Sequence, residues 1–208
     1  MSGGPIVLAS TSEARRRLVA RLGIDVVFAA PTCDESAIHG PTPDQTALLR
    51  ALAKAESVRE SFPDAVVVGS DQVVDLDGKS LGKPGTAERA CAQLAELSGR
   101  THRIVTAVVV LGPATRESCV VVSQMTMRAL APSEIAAYVA ADAPEACAGS
   151  YKLECGGRAL FSRIETSDET AIEGLPLSAL SGMLGALYDR DGARSRGPDV
   201  PPQASLAP

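Results

Sequence analysis

The stretch Ala65-Val66-Val67-Val68-Gly69-Ser70-Asp71-Gln72-Val73-Val74 constrains the fold more than any other part of the chain. Apolar residues occupy both side-chain parities, so the spacing predicts a strand buried on both faces of a sheet. Ser70-Asp71-Gln72 interrupt that run in its middle. An unpaired carboxylate in a core is costly. Asp71 therefore has to meet a cation, a metal or a cleft, and a metal-binding or base carboxylate at a cleft floor fits that need. The plainer structural alternative is a bulge in which Asp71 caps a neighbouring loop.

Helical and strand patterns alternate along the chain, which predicts an α/β protein. Strands are expected over residues 5–9, 26–30, 65–76, 104–111 and 119–127. Helices are expected after Ser10, over about 44–61, from Thr86 to about Leu97, over 132–141 and over 176–189. Asp77-Gly78 is a hairpin-turn signal. Residues 147–164 read as strand-like pieces around a glycine-rich turn, which would put Lys152 and Glu154 on one strand face. From Gly192 onward there is almost nothing to bury, so residues 1–191 are expected to form one domain and 192–208 a disordered tail.

The second informative feature is Arg15-Arg16-Arg17. Ser10-Thr11-Ser12-Glu13 reads as a helix start, with Ser10 and Glu13 spaced as a capping box. The arginines thus fall in the first turns, where cations oppose the helix dipole. A strand running into a helix N-terminus is already an anion site. Hydroxyls and guanidinium forks added there suit a phosphate. A solvated basic turn is the plain alternative.

The 208 residues carry a net charge of -5, which implies no general affinity for nucleic acid. The start, Met1-Ser2-Gly3-Gly4-Pro5, lacks the basic region and apolar run of a secretory signal, and no apolar stretch reaches membrane-spanning length. Five scattered cysteines without a C-x-x-C pair are expected to be reduced thiols in a cytoplasm. With only His39 and His102, a histidine-rich metal centre is excluded.

Other residues are weaker signals on their own. Lys83 in Gly82-Lys83-Pro84-Gly85 and Lys54 on the second helix are cations that solvent alone would explain. Asp34-Glu35 offers oxygen ligands for a hard cation or is an ordinary acidic loop. Together these residues form an inventory of cations, a few carboxylates and no usable histidine. That inventory suits Mg²⁺-assisted chemistry on a polyphosphate.

These residues also carry a resemblance. Leu8-Ala9-Ser10-Thr11-Ser12 with Arg15-Arg16, Asp34-Glu35, Gly69-Ser70-Asp71-Gln72-Val73, Leu81-Gly82-Lys83-Pro84, Leu97-Ser98-Gly99-Arg100-Thr101-His102, Ala148-Gly149-Ser150-Tyr151-Lys152 and Gly174-Leu175-Pro176-Leu177 resemble the Maf family, in order from Leu8 to about Leu187. The resemblance implies a central mixed, twisted sheet flanked by helices, with two lobes and a cleft between them. It implies a nucleoside triphosphate pyrophosphatase that uses a divalent metal (Mg²⁺ or Mn²⁺) and forms a homodimer. It casts Asp71 as proton acceptor, Ser10, Arg15, Arg16, Lys54 and Lys83 as substrate contacts, and Glu35 and Asp71 as the metal-side carboxylates.

Two branches of that family differ at the base-reading positions. Ser70-Asp71-Gln72-Val73 and Lys152-Leu153-Glu154 are similar to the 7-methyl-GTP pyrophosphatase branch, so Gln72, Lys152 and Glu154 are expected to set specificity. A guanine edge offers N1–H and N2–H₂ donors to one carboxylate, and N7 methylation strengthens that pair by charging the ring. Ala14 stands where that branch often carries a large aromatic for the cationic base to stack on, and Tyr151 is the candidate replacement. A dTTP/UTP pyrophosphatase and a nucleotide-binding regulator of cell division with weak catalysis are the alternative readings.

Overall fold

Strand β3 (Val66–Leu76) is the spine of the molecule. A computed structural model of the chain describes residues 4–195. The strands are β1 (Ile6–Ala9), β2 (Val26–Ala29), β3, β4 (Lys79–Leu81), β5 (Thr101–Leu111), β6 (Arg116–Met127) and β7 (Phe161–Glu165). The helices are α1 (Glu13–Ala20), α2 (Pro43–Arg59), α3 (Ala87–Leu97), α4 (Pro132–Asp142), the short α5 (Glu169–Ile172) and α6 (Leu177–Ser195). Among the described residues the seven strands form one mixed sheet in the order β2-β1-β3-β5-β6-β7, with β4 also paired to β3. β1 runs parallel to β2 and β3, and the other pairings are antiparallel.

Both faces of β3 are covered, as its composition requires. Val67 and Val73 pack with Ala47, Ala51, Ala55 and Val58 of α2 on one face. Val68 packs with Leu18 and Val19 of α1 and Leu180 and Leu184 of α6 on the other. Further along that second face, Val74 and Leu76 pack with Ala90 and Leu94 of α3 and Ile135 and Val139 of α4. β3 and β5 therefore pass from one packed lobe into another, and the expected two-lobed, mixed-sheet α/β architecture is what the chain forms.

One edge of β3 is occupied along its length by β5. On the other edge, β1 pairs with Val66 to Gly69 and β4 with Val74 to Leu76. Residues Ser70 to Val73 lie in the gap between those two neighbours. The gap opens just beyond the carboxyl end of β1, where ligands bind in open α/β sheets.

Several sequence expectations shift in detail. Ser12 caps α1, accepting from the Arg15 N–H at 3.4 Å, and the helix starts at Glu13. Ser10 is not the cap: its hydroxyl accepts from the Ser12 N–H and tightens the turn that enters the helix. Asp77 and Gly78 make the expected tight turn with φ of 52° and 85°. Residues 147–164 are not two strands, because 3-10 turns at Ala148–Ser150 and Gly156–Leu160 occupy most of the segment and only β7 pairs. Lys152 and Glu154 therefore share no strand face. α6 continues through the expected boundary at Gly192 to Ser195, and the remainder of the expected tail lies outside the described residues.

Candidate active site

A cleft of about 730 Å³ opens at the gap in the β3 edge. Its size falls within the range of small-molecule sites. Ser10, Arg15, Glu35, Lys54, Asp71, Gln72, Lys83, Lys152, Glu154 and Ala14 all border it, so one cavity gathers these residues singled out in the sequence, while Arg16 and Asp34 lie outside it.

The centre is an ion-pair network in which Lys54 and Asp71 are buried and Glu35 is partly exposed. Asp71 shares a strand face with Val67, Gly69 and Val73 and so points toward α2. Lys54 of α2 is 4% exposed and meets it there. The Lys54 ammonium lies 2.7 Å from Asp71 Oδ1 and 2.7 Å from Glu35 Oε2. Gly69 makes the approach of α2 feasible, since a Cβ at that position would sit 2.1 Å from the Ala51 carbonyl oxygen. Asp71 Oδ2 is buried with no hydrogen-bond partner. Glu35 opens a single 3-10 turn whose N-cap is Asp34. Asp34 accepts from the Ser36 hydroxyl and N–H, which lowers its carboxyl and commits it to the turn rather than to the cleft.

The rim is cationic. Arg15 donates from Nε to the Gly174 carbonyl at 2.8 Å, which fixes the guanidinium against the cleft wall. Burial lowers the Arg15 pKa, while Asp71 and Glu35 pull it back up. Lys83, on the loop after β4, is exposed and has no hydrogen-bond or ion-pair partner among the described residues. Glu13 and Ala14, whose first-turn N–H groups have no intrahelical acceptor, also border the cleft. Arg16 is the correction. It does not border the cleft; its guanidinium lies 5.1 Å over the Phe28 ring and pairs with Glu13. A helix turns about 100° per residue, and that step carries Arg16 from the cleft to the Phe28 ring.

The expected specificity residues divide. Glu154 reaches Arg17 at 3.6 Å across the cleft mouth. Lys152 donates to the Asp142 carbonyl at 2.6 Å, so no Lys152–Glu154 pair exists. Gln72 Nε2 donates to Thr106 Oγ1 and to the carbonyls of Ala171 and Ile172, which ties its amide to the protein. Tyr151 borders the cleft but is 6% exposed. Its hydroxyl bonds His102 Nε2 at 2.7 Å and its ring packs edge-on to Phe161, so it does not replace the aromatic absent at Ala14. Cys147 also borders the cleft, and burial pushes its thiol up, away from the thiolate a nucleophile needs.

Two cleft residues, Arg50 and Glu173, went unmarked in the sequence, and Arg17 was marked only within the arginine run. Arg50 stands one helical turn before Lys54, so the i, i+4 spacing could have found it. Arg17 stands two residues after Arg15, with Glu154 as its partner. Glu173, before Gly174, carried no signal at all in the sequence.

The model for Maf-like proteins matches residues 5–187. The chain belongs to the Maf family. Among its Maf relatives is the 7-methyl-GTP pyrophosphatase of Xanthomonas campestris pv. campestris (strain 8004), 47% identical over 180 residues that cover 86% of this chain and 94% of that one. The 7-methyl-GTP pyrophosphatase of Polaromonas sp. is 46% identical over 184 residues, covering 88% of this chain and 84% of that one. Among solved structures, the Staphylococcus aureus Ham1 protein overlaps this Maf chain with a TM-score of 0.43 at 18% identity, across 60% of this chain and 71% of that one.

Proposed function

We propose that this Maf protein hydrolyses a nucleoside triphosphate to the monophosphate and pyrophosphate, with 7-methyl-GTP as substrate. The observation that carries the reading is the Glu35–Lys54–Asp71 network at the floor of a cleft rimmed by Arg15 and Lys83. Carboxylates and cations in that order suit a triphosphate lying between them. The relatives named 7-methyl-GTP pyrophosphatase support the choice of base.

The residues fit a divalent cation. Glu35 and Asp71 converge on one point, each 2.7 Å from the Lys54 ammonium, and Asp71 Oδ2 is an orphaned hard donor. Among the described residues no group of three or more His, Cys, Asp or Glu could hold a metal. Two carboxylates with substrate oxygens completing the shell is the pattern that suits Mg²⁺ or Mn²⁺. Such an ion supplies charge neutralisation at the phosphates.

The chain's own groups do the rest. Arg15, Lys54 and Lys83 bind the phosphate oxygens, helped by the N-terminus of α1 and the Ser10 hydroxyl. Asp71 takes a proton from the attacking water. The water oxygen bonds to the α-phosphorus, the bond from that phosphorus to the bridging oxygen breaks, and pyrophosphate leaves with the electron pair. Glu154 accepts the N–H donors of the guanine edge.

The same reading carries a homodimer, tested by light scattering. It also carries a cytoplasmic location, which the free thiols of all five cysteines fit. Among the described residues no helix is long and apolar enough to cross a membrane.

Asp71→Asn tests the chemistry. Pyrophosphate release is expected to fall by about 10²- to 10⁴-fold with the fold retained. Turnover within tenfold of the native enzyme overturns Asp71 as the base. A panel of 7-methyl-GTP, GTP, dTTP and UTP, scored by kcat/KM, tests the base.

A further inference from the structure

The segment Ala171–Gly174 is fastened to the sheet with unusual thoroughness. Gln72 donates to the carbonyls of Ala171 and Ile172, each at 2.9 Å. Thr106 donates to Ala171 at 2.7 Å, and the Ser70 hydroxyl lies 2.9 Å from the Gly174 carbonyl. Arg15 Nε reaches that same carbonyl. Gly174 has φ of 109°, a conformation that favours glycine, and a Cβ there would crowd the Arg15 guanidinium at 3.3 Å.

What this fastening holds rigid is Glu173. Its side chain borders the cleft and is partly buried. It has no hydrogen-bond or ion-pair partner among the described residues. Burial raises its carboxyl, and Glu154 adds to that, while Arg21 and Arg17 oppose it. Arg17 is already engaged by Glu154. Glu173 thus stands partly buried at the cleft, beside Glu154 and near Arg17 and Arg21, on a segment whose backbone is fixed.

Glu173 lies near Glu154, which the reading above assigns to the base, and not in the Glu35–Lys54–Asp71 network. A purine alkylated at N7 brings a positive charge there. We propose, building on the 7-methyl-GTP reading above, that Glu173 is a specificity-determining residue that reads the charge of the N7-methylated base. Glu154 then accepts the neutral N–H donors, and the two carboxylates divide the base between them. Ser70, Gln72 and Thr106 act as positioning residues, through the segment they hold.

The test compares native enzyme, Glu173→Gln and Glu173→Asp on 7-methyl-GTP and GTP, with calorimetric binding of the products 7-methyl-GMP and GMP. Glu173→Gln is expected to lower the 7-methyl-GTP/GTP ratio of kcat/KM about tenfold, the size of one hydrogen bond to a charged group. The 7-methyl-GMP/GMP affinity ratio should fall with it, and Glu173→Asp should recover part of both. Should Glu173→Gln fail to fold, Glu173→Ala is the second neutral variant. An unchanged ratio in an enzyme that prefers 7-methyl-GTP overturns the role of Glu173 and leaves the function standing. A native enzyme that prefers dTTP or UTP overturns the function itself, and the role of Glu173 with it.

Discussion

Gly69 lies so close beneath Ala51 that the two elements touch through backbone, with room for only 2.1 Å between a Cβ and the Ala51 carbonyl oxygen. This contact sets the height of α2 above the sheet and so the reach of Lys54 to Asp71. Gly69→Ala is expected to lift the helix. The cost should be about 3 kcal/mol, at the upper end of overpacking penalties. That corresponds to a fall of roughly 10 °C in Tm for a chain of this size, read by thermal denaturation, with loss of pyrophosphate release alongside it.

Lys54→Met leaves the Asp71 carboxylate buried and uncompensated. Breaking one side of a buried pair costs about 3–5 kcal/mol. Urea denaturation should show that loss, and Lys54→Met/Asp71→Asn should recover most of the stability while remaining inactive. Equal stability of the single and double variants would separate the two residues energetically.

Arg15→Lys keeps the charge and removes the Nε–H that the Gly174 carbonyl holds. An ammonium on a flexible stem cannot be fixed by that carbonyl while presenting a planar fork to phosphate. A loss of about 10- to 100-fold in kcat/KM is expected, with little change in melting temperature.

His102 is 2% exposed, bonded to Tyr151 through Nε2, with Nδ1 buried and unpartnered. Burial pushes its pKa down to about 4 from an ordinary 6.5. Between those values the unfolded chain binds a proton that the folded chain does not. Stability therefore falls as pH drops through that window, by up to about 3 kcal/mol. His102→Gln should flatten that part of the stability–pH curve, measured by denaturant titration at several pH values. A slope identical to the native one would remove His102 as its source.

Much of the fold was legible in the sequence because the signals were local and physical. The doubly apolar run of β3, the Asp77-Gly78 turn and the Thr86 cap each specify their own backbone. The site was legible where charge sat against its surroundings: Asp71 inside an apolar strand, Arg15 at a helix start. It was less legible where spacing competes. Three adjacent arginines offered no way to tell Arg15 from Arg16 until the helix phase was set by Ser12 rather than Ser10. Residues 147–164 read as strands from their alternation, yet Gly149 at φ of 77° and the Gly156-Gly157 pair turn the chain too sharply for pairing. Glu173 was invisible because its meaning depends on Gln72, a hundred residues away, grasping the carbonyl beside it.

β3 and β5 run unbroken through both lobes, hydrogen-bonded to one another from Val67–Leu111 to Asp75–Arg103. The two halves are therefore joined by continuous paired strands. The Arg17–Glu154 contact, by contrast, joins two exposed or partly exposed side chains at the cleft border. Asp71 sits within the β3–β5 pairing, opposite Ala107, so its place beside Lys54 is set by the same ladder that joins the lobes.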